Sequence, residues 1–190
     1  MNSQPAPTTP LQSTRDDVRI AYLAALAMAV HVLEAALPSP VPGIKPGLAN
    51  IVTVAVLCHF GWRTAAWVSA LRVLAGSLVV GSFLSPTFLL SAAGAATSML
   101  ALAITVRLPG AGPVGHSVAA AMAHMLGQFA VARTLLVPHP ALTALLPVLL
   151  TAAVVFGTVN GIMARAALER LQWRPGGRPA RPASAEVSSE

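Results

Sequence analysis

Ionisable side chains lie inside the apolar stretches of this sequence, and their chemistry suits the binding of a charged small molecule. Arg72 is well inside one stretch, and Glu34 lies towards the end of another, on the same helical face as His31. An ionisable group in hydrocarbon is costly, so it normally faces a cavity or a charged partner. Arg72 could therefore supply positive charge to a ligand, or it could form a buried ion pair with Glu34 that holds two helices together. The two interpretations are compatible.

Uncharged polar residues accompany these charges at helical spacing. His124 and Gln128 are one turn apart, with Gly127 beside them leaving room for a neighbour or a ligand, and Asn50 opens a separate apolar stretch. Each of them could equally serve as a packing group. If the helices are compactly arranged, these groups converge on one polar pocket. The predicted substrate-binding residues are Lys45, Asn50, Arg72, Glu34, His124 and Gln128.

Composition assigns the chain to the integral membrane proteins. Hydrophobic residues make up 55% of the sequence and charged residues only 9%, whereas an average soluble domain has about 25% charged residues. The apolar stretches are rich in Ala, Leu, Val and Gly. They run for about 17 to 25 residues, which is typical of membrane helices, whereas the strands of a membrane barrel alternate over about ten. We therefore predict an all-α integral membrane protein.

The apolar stretches and the Pro and Gly residues between them predict six transmembrane helices in one domain, residues 19–168. Residues 1–18 and 169–190 are polar and rich in Pro and Ser, so we predict that both are disordered tails and that the second is basic. The predicted helices are 20–37, 48–60, 64–80, 87–106, 115–137 and 141–166.

Predicted helix 2 is too short to cross a membrane. At 1.5 Å per residue it covers about 20 Å of a hydrocarbon core that is about 30 Å thick. The segment before it places Lys45 among Gly43, Pro46 and Gly47. Glycines permit close approach and unusual backbone angles, and prolines stiffen the chain. We therefore predict that residues 41–48 fold inward over the bundle as non-helical backbone, covered by other helices.

The basic residues set the predicted orientation. With an even number of helices both termini share a side, and that side carries most of the arginines, whereas Lys45 and Arg133 lie opposite. The positive-inside rule then places both termini in the cytoplasm and the Lys45 segment outside, above Arg72. Asn160 falls near the cytoplasmic face, where it would bond to a neighbouring helix. The net charge of +6 reflects topology and attraction to anionic lipid, so we predict no nucleic-acid binding.

The sequence lacks the residues that several kinds of chemistry require. No two histidines have metal-ligand spacing on one helix, and Cys58 is the single cysteine, so we expect no metal site. No phosphate-binding loop is present, so the chain would not power transport by its own ATP hydrolysis. We predict no catalytic residues and no cofactor.

Small residues recur at four-residue spacing on three of the predicted helices, a pattern that allows helices to approach closely. On helices 5 and 6 we interpret the pattern as packing inside the bundle. On helix 1 the stripe could equally face a partner protein. The residues are Ala21, Ala25 and Ala29 on helix 1, Gly115, Ala119, Ala123 and Gly127 on helix 5, and Gly157 and Gly161 on helix 6.

Four motifs are spread over residues 20–168. They are the run Gly-Ile-Lys-Pro-Gly-Leu-Ala-Asn-Ile-Val-Thr at 43–53, Arg72 with Gly76-Ser77-Leu78 and Gly81, the stretch 91–98 with Gly94, and His124-Met125-Leu126-Gly127-Gln128. Together they resemble a known bacterial family, the Gx transporters, which are also named heptaprenyl diphosphate synthase component I. Members commonly have asparagine where this chain has Met125, so the chain lacks one polar group.

This resemblance implies a six-helix fold similar to the S components of energy-coupling factor transporters, which capture vitamins or related small molecules from outside the cell. In that group an alanine stripe on helix 1 docks onto a membrane coupling subunit that works with ATPases, and Ala21, Ala25 and Ala29 match it. The connection before helix 2 would act as a gate built from Gly43, Pro46 and Gly47, with Lys45 available to an anionic group. The implied function is uptake of a small molecule across the cytoplasmic membrane. Lys45 and Arg72 favour an acidic or phosphorylated one, whereas Glu34 could neutralise one of these charges and the apolar walls of the pocket would accept a lipid tail.

The second family name implies a rival function, a membrane component of a heptaprenyl diphosphate synthase. Ionisation of an allylic diphosphate requires magnesium held by clustered carboxylates. Within its membrane region this chain offers only Glu34. It would therefore be a non-catalytic component that retains a lipid product beside a soluble prenyl synthase subunit.

Overall fold

The computed structural model describes residues 15–36 and 47–172, and every structural statement below concerns those residues. They form six α-helices and no strand, which confirms the all-α prediction for this part of the chain. A π-helical turn, Ala132–Leu136, follows the fifth helix, and a 3₁₀ helix, Pro140–Leu145, precedes the sixth. The helices are α1 (Arg15–Ala36), α2 (Ala49–Phe60), α3 (Trp62–Val80), α4 (Pro86–Thr105), α5 (Pro113–Val131) and α6 (Leu146–Gln172).

The helix boundaries agree with the predicted ones to within a few residues, and the differences have local causes. Helices α1 and α6 extend into the ranges that were predicted as tails. Asp17 lies in the first turn of α1, where a carboxylate favours the helix dipole. At the other end of the chain, Arg165 and Glu169 form a salt bridge of 2.9 Å one turn apart on α6. Pro138 and Pro140 lack the N–H groups that a continuous helix into α6 would need.

The outer surface of the bundle has the character of a membrane protein. Three helical stretches are long and apolar enough to cross a membrane, Trp62–Val80, Pro86–Thr105 and Pro140–Arg170, and Asn50–Phe60 is a shorter apolar helix. Large apolar side chains such as Leu78, Ile104 and Val148 are exposed. The buried core instead contains many small residues. Lipid is as apolar as a protein core, so this distribution identifies a helical membrane protein.

Helix α5 lies between α4 and α6 and packs extensively against both, whereas α1 packs mainly against α3 and α2. The start of α1 lies beside the end of α2, where the Arg19 guanidinium carbon is 5.1 Å from the centre of the Phe60 ring. The start of α5 meets the end of α4, where His116 Nδ1 is 3.0 Å from Thr105 Oγ1. We call this side the basic end. Its exposed arginines are Arg15, Arg19, Arg63, Arg107, Arg165 and Arg170.

Close packing of α5 and α6 confirms the interpretation of their small residues, with one exception. A Cβ atom added to Gly161 would lie 2.6 Å from Val114 Cα, and one added to Gly157 would lie 2.9 Å from Val118 Cα. The two backbones therefore cross in direct contact. Gly115 is the exception, because it is exposed and a Cβ atom there would meet nothing within 4 Å.

Candidate binding site inside the bundle

A buried arginine of α3 lies one turn from a contact between α3 and α1. Arg72 is 8% exposed and has an interaction partner within the protein. One turn further along α3, Gly76 is also buried, and a Cβ atom there would lie 2.9 Å from His31 Cδ2. The His31 ring of α1 therefore rests directly on the α3 backbone beside Arg72, and only glycine leaves room for it.

A second imidazole reaches the same region from α5 and is accommodated in the same way. A Cβ atom on Gly94 of α4 would lie 2.7 Å from both Cε1 and Nε2 of His124. The His124 imidazole thus rests against Gly94, and it lies within electrostatic range of Arg72 and His31. Side chains from α1, α3 and α5 therefore lie in one region of the bundle, with glycines of α3 and α4 supplying the space.

A buried hydroxyl lies one turn before Arg72. Ser69 is 1% exposed, and its Oγ atom has no hydrogen-bond partner among the described residues. A buried polar atom without a partner costs about 1 to 3 kcal/mol, so such an atom is available to a ligand or an ordered water. A guanidinium, two imidazoles and a hydroxyl are groups that recognise carboxylate or phosphate oxygens.

Non-helical backbone enters the bundle just before α2. The Gly47 carbonyl accepts hydrogen bonds from the Asn50 backbone N–H at 2.8 Å and from Asn160 Nδ2 of α6 at 3.2 Å. Asn160 is 3% exposed. Gly47 has φ of +70°, a conformation that favours glycine. Gly47, at the end of the predicted inward segment, therefore contacts a buried residue of α6, whereas residues 41–46 lie outside the described residues.

The predicted substrate-binding residues differ in what the structure shows of them. Arg72 and His124 are brought together. Asn50 is half-buried in the first turn of α2, and Gln128 is half-buried one turn beyond His124, but no contact given by the described residues joins either of them to Arg72. The Glu34 side chain, and therefore the predicted Arg72–Glu34 ion pair, lies outside the described residues, as do Lys45, Gly43 and Pro46.

Two residues of this region, His31 and Asn160, are not among the predicted substrate-binding residues. In the sequence, His31 is noted only because it shares a helical face with Glu34. The feature that indicates its contact with α3 is Gly76, a glycine in the helix that carries the buried arginine. Asn160 was predicted to bond to a neighbouring helix. One of its partners is the non-helical carbonyl of Gly47. Its position beside Gly161, on the closely packed face of α6, indicated burial.

A separate open cavity of about 370 Å³ lies at the basic end. His116 and Arg165 line it, but the first bonds to Thr105 and the second to Glu169. Among residues 15–36 and 47–172, no group of three or more His, Cys, Asp or Glu residues is placed to hold a metal ion. The cavity's other lining residues are Cys58, His59, Ala111, Pro113, Leu168 and Glu169.

Comparison with known proteins agrees with the resemblance seen in the sequence motifs. No curated protein and no solved structure matches the chain. The family model for heptaprenyl diphosphate synthase component I matches residues 23–167, from α1 almost to the end of α6. Because this match covers most of the chain and every helix that builds the site, the protein belongs to the heptaprenyl diphosphate synthase component I family.

Proposed function

We propose that this protein captures a small acidic or phosphorylated molecule and carries it across the cytoplasmic membrane, in the manner of the S component of an energy-coupling factor transporter. All six helices would span or enter the membrane, with both termini in the cytoplasm. The observation that carries the proposal is the buried Arg72 with His31 and His124 beside it, each imidazole resting on a glycine backbone.

The composition of this cluster favours ligand binding over a purely structural ion pair between helices. An ion pair that only joined two helices would need one cation and one anion. Here two imidazoles accompany the guanidinium, and each can offer a ring N–H to an anion in a region of low dielectric, where the charge of Arg72 attracts an anion strongly. Glu34 would balance part of this charge or carry a proton.

The segment before α2 would act as the gate of this site. Lys45 would approach an anionic group of the substrate, and Asn50 and Gln128 would supply hydrogen bonds. The bond from Asn160 to Gly47 supports a gate whose inner end is anchored on α6, while Gly43 and Pro46 would shape the part that moves.

A coupling partner would dock on α1. Ala21, Ala25 and Ala29 are all exposed in the described structure, although residues of this size are suited to close helix contact. Their exposure supports a membrane subunit that covers the stripe and works with ATPases.

Small molecules that co-purify with the full chain provide the test. Mass spectrometry of the wild type should detect an acidic or phosphorylated compound that Arg72→Gln loses, because charge-assisted hydrogen bonds contribute enough to change affinity about tenfold or more. Arg107→Gln, at an exposed arginine bonded to Ala103 O, is the matched control and should retain the compound. Lys45→Ala should weaken retention less.

Gly94→Ala provides a second variant in case Arg72→Gln does not fold. It leaves the arginine in place and displaces His124, so it should also lower the amount of compound retained. If the same molecules co-purified with all of these proteins in equal amounts, the site assignment would be wrong.

The family name supports a second candidate function, a non-catalytic membrane component of a prenyl diphosphate synthase. In that case the apolar walls of the bundle would retain a lipid product beside a soluble synthase subunit. Adding the reconstituted membrane protein should then raise the rate or product length of the soluble subunit. A soluble subunit that is fully active alone, with the same products, would exclude this function.

A further inference from the structure

The start of α3 forms an open groove of about 330 Å³ on the outside of the bundle. Its lining residues differ in chemistry from those of the buried cluster. Two tryptophans border it, Trp62 at 39% exposure and Trp67 at 59%. Its remaining lining residues are Arg63, Ala66 and Ala70. Large aromatic side chains, one cation and two small side chains thus share one patch of a membrane helix.

The groove owes its form to the spacing of these residues. Ala66 and Ala70 are one turn apart and leave a shallow channel along α3. On one side Trp62 is held across the surface, because its Nε1 donates a hydrogen bond of 3.2 Å to the Met99 carbonyl of α4. On the other side Trp67 stands free of the bundle. The alanine side chains are single methyl groups, so an apolar chain such as an acyl chain can lie along them.

Among the described residues, Arg63 is the only charged one that lines the groove. The described residues give it no hydrogen bond and no ion pair, and it is exposed. Other arginines at the basic end are engaged: Arg107 donates to Ala103 O, Arg165 pairs with Glu169, and Arg19 lies over Phe60. Arg63 is therefore available to an anion from outside the protein.

The position of the groove identifies the source of such an anion. Tryptophan concentrates at the level of lipid headgroups, and arginine at a helix end reaches the same level. The groove starts at the first residue of α3 and runs into an apolar helix that is long enough to cross a membrane. Its charged part therefore lies at the headgroups and its alanine channel lies in the hydrocarbon.

We propose that this groove binds one anionic phospholipid, with the lipid phosphate on Arg63 and an acyl chain along Ala66 and Ala70 between the two indoles. The site is independent of the molecule that the protein transports or retains. It would hold the basic end against the anionic leaflet and fix the depth of α3, the helix that carries Arg72.

Tryptophan fluorescence tests the proposal directly. Full-length protein carrying Trp173→Phe retains only the two groove tryptophans and is reconstituted in phosphatidylcholine vesicles that contain brominated phosphatidylglycerol. The comparison sample contains brominated phosphatidylcholine at the same fraction. We expect stronger quenching by the anionic lipid, with a relative affinity of about fivefold, the effect of one basic residue near a membrane surface.

Arg63→Gln should reduce quenching by phosphatidylglycerol to the level given by phosphatidylcholine. Arg107→Gln, at the same end of the bundle but outside the groove, should keep the preference for the anionic lipid. Equal quenching by the two lipids in the unsubstituted site would overturn the proposal. It would also be overturned if Arg63→Gln kept the preference, since the selectivity would then belong to the basic end as a whole.

Discussion

Helices α6 and α1 carry the same pattern of small residues at four-residue spacing, but one pattern is buried and the other is exposed. Gly157 and Gly161 of α6 are buried against the backbone of α5. Ala21, Ala25 and Ala29 of α1 are exposed on the outside of the bundle. The core-facing side of α1 is a different one. It includes the buried Ala24 and Ala27, with Ile20 and Leu23 packed against the core beside them.

The difference shows what a small-residue stripe can and cannot indicate. In membranes close backbone approach stabilises helix pairs through van der Waals contact, so the spacing indicates that a surface is suited to another helix. It does not identify the helix that fills it. On α6 the contact requires glycine because a single Cβ atom would collide with backbone. On α1 alanine suffices, since nothing in the described chain approaches that face.

Gly161→Leu should have the largest effect of the substitutions that test this comparison. A Cβ atom at this position would lie 2.6 Å from Val114 Cα, and a backbone atom cannot rotate away. Overpacking typically costs about 1 to 3 kcal/mol and more where backbones must separate. We expect a strongly lowered midpoint of thermal unfolding for the detergent-solubilised protein.

The control for that substitution is Gly115→Ala on α5, where a Cβ atom would meet nothing within 4 Å. It should leave the unfolding midpoint close to that of the wild type. Similar losses for the two variants would mean that glycine flexibility, and not the α5–α6 crossing, determines the effect.

Gly94→Ala extends the comparison to a glycine that accommodates a side chain instead of a helix. The added Cβ atom would lie 2.7 Å from the His124 ring, which can turn aside more easily than backbone can move. The loss of stability should therefore be smaller than for Gly161→Leu, about 1 kcal/mol at the low end of overpacking costs. Retention of the co-purified compound should fall much more than the unfolding midpoint.

The difference between local sequence signals and contacts between helices explains how much of the structure the sequence could predict. The six helices followed from apolar stretches and from Pro and Gly residues because both signals are local. Within the site, Arg72 and His124 were predicted since a charged or polar residue in an apolar stretch is conspicuous by itself. The contacts of His31 with Gly76 and of Asn160 with Gly47 depend on which helices are neighbours and how they are rotated. Local sequence pattern does not determine those arrangements.

Asn160→Ala compares a hydrogen bond with the backbone packing beside it on the same helix. The substitution removes the bond from Nδ2 to the Gly47 carbonyl. That carbonyl keeps its hydrogen bond from the Asn50 N–H, so it is not left without a donor. A typical intramolecular hydrogen bond contributes about 1 kcal/mol, and we expect a destabilisation of that size in chemical or thermal unfolding. Asn160→Leu, which keeps a similar volume but removes the amide donor, should behave similarly. A full loss of folding in either variant would show that α6 depends on this bond more than on its glycines.

Ala25→Leu should have the smallest effect on the isolated protein, because the residue is exposed on α1. Substitutions away from buried features usually change stability by less than about 0.5 kcal/mol. The unfolding midpoint should therefore stay at the wild-type value. If the stripe is a docking surface, the same substitution should sharply reduce the amount of membrane coupling subunit recovered with the protein from native membranes.

Tyr22→Leu is the matched control on α1, since Tyr22 is also exposed but lies outside the alanine stripe. It should leave both stability and recovery of the coupling subunit unchanged. A coupling subunit recovered equally with Ala25→Leu and wild type would show that the stripe faces lipid, and α1 would then differ from α6 in having no helix partner. Loss of stability in Ala25→Leu alone would instead place a second copy of this chain on the stripe, because the isolated protein would then supply its own contact.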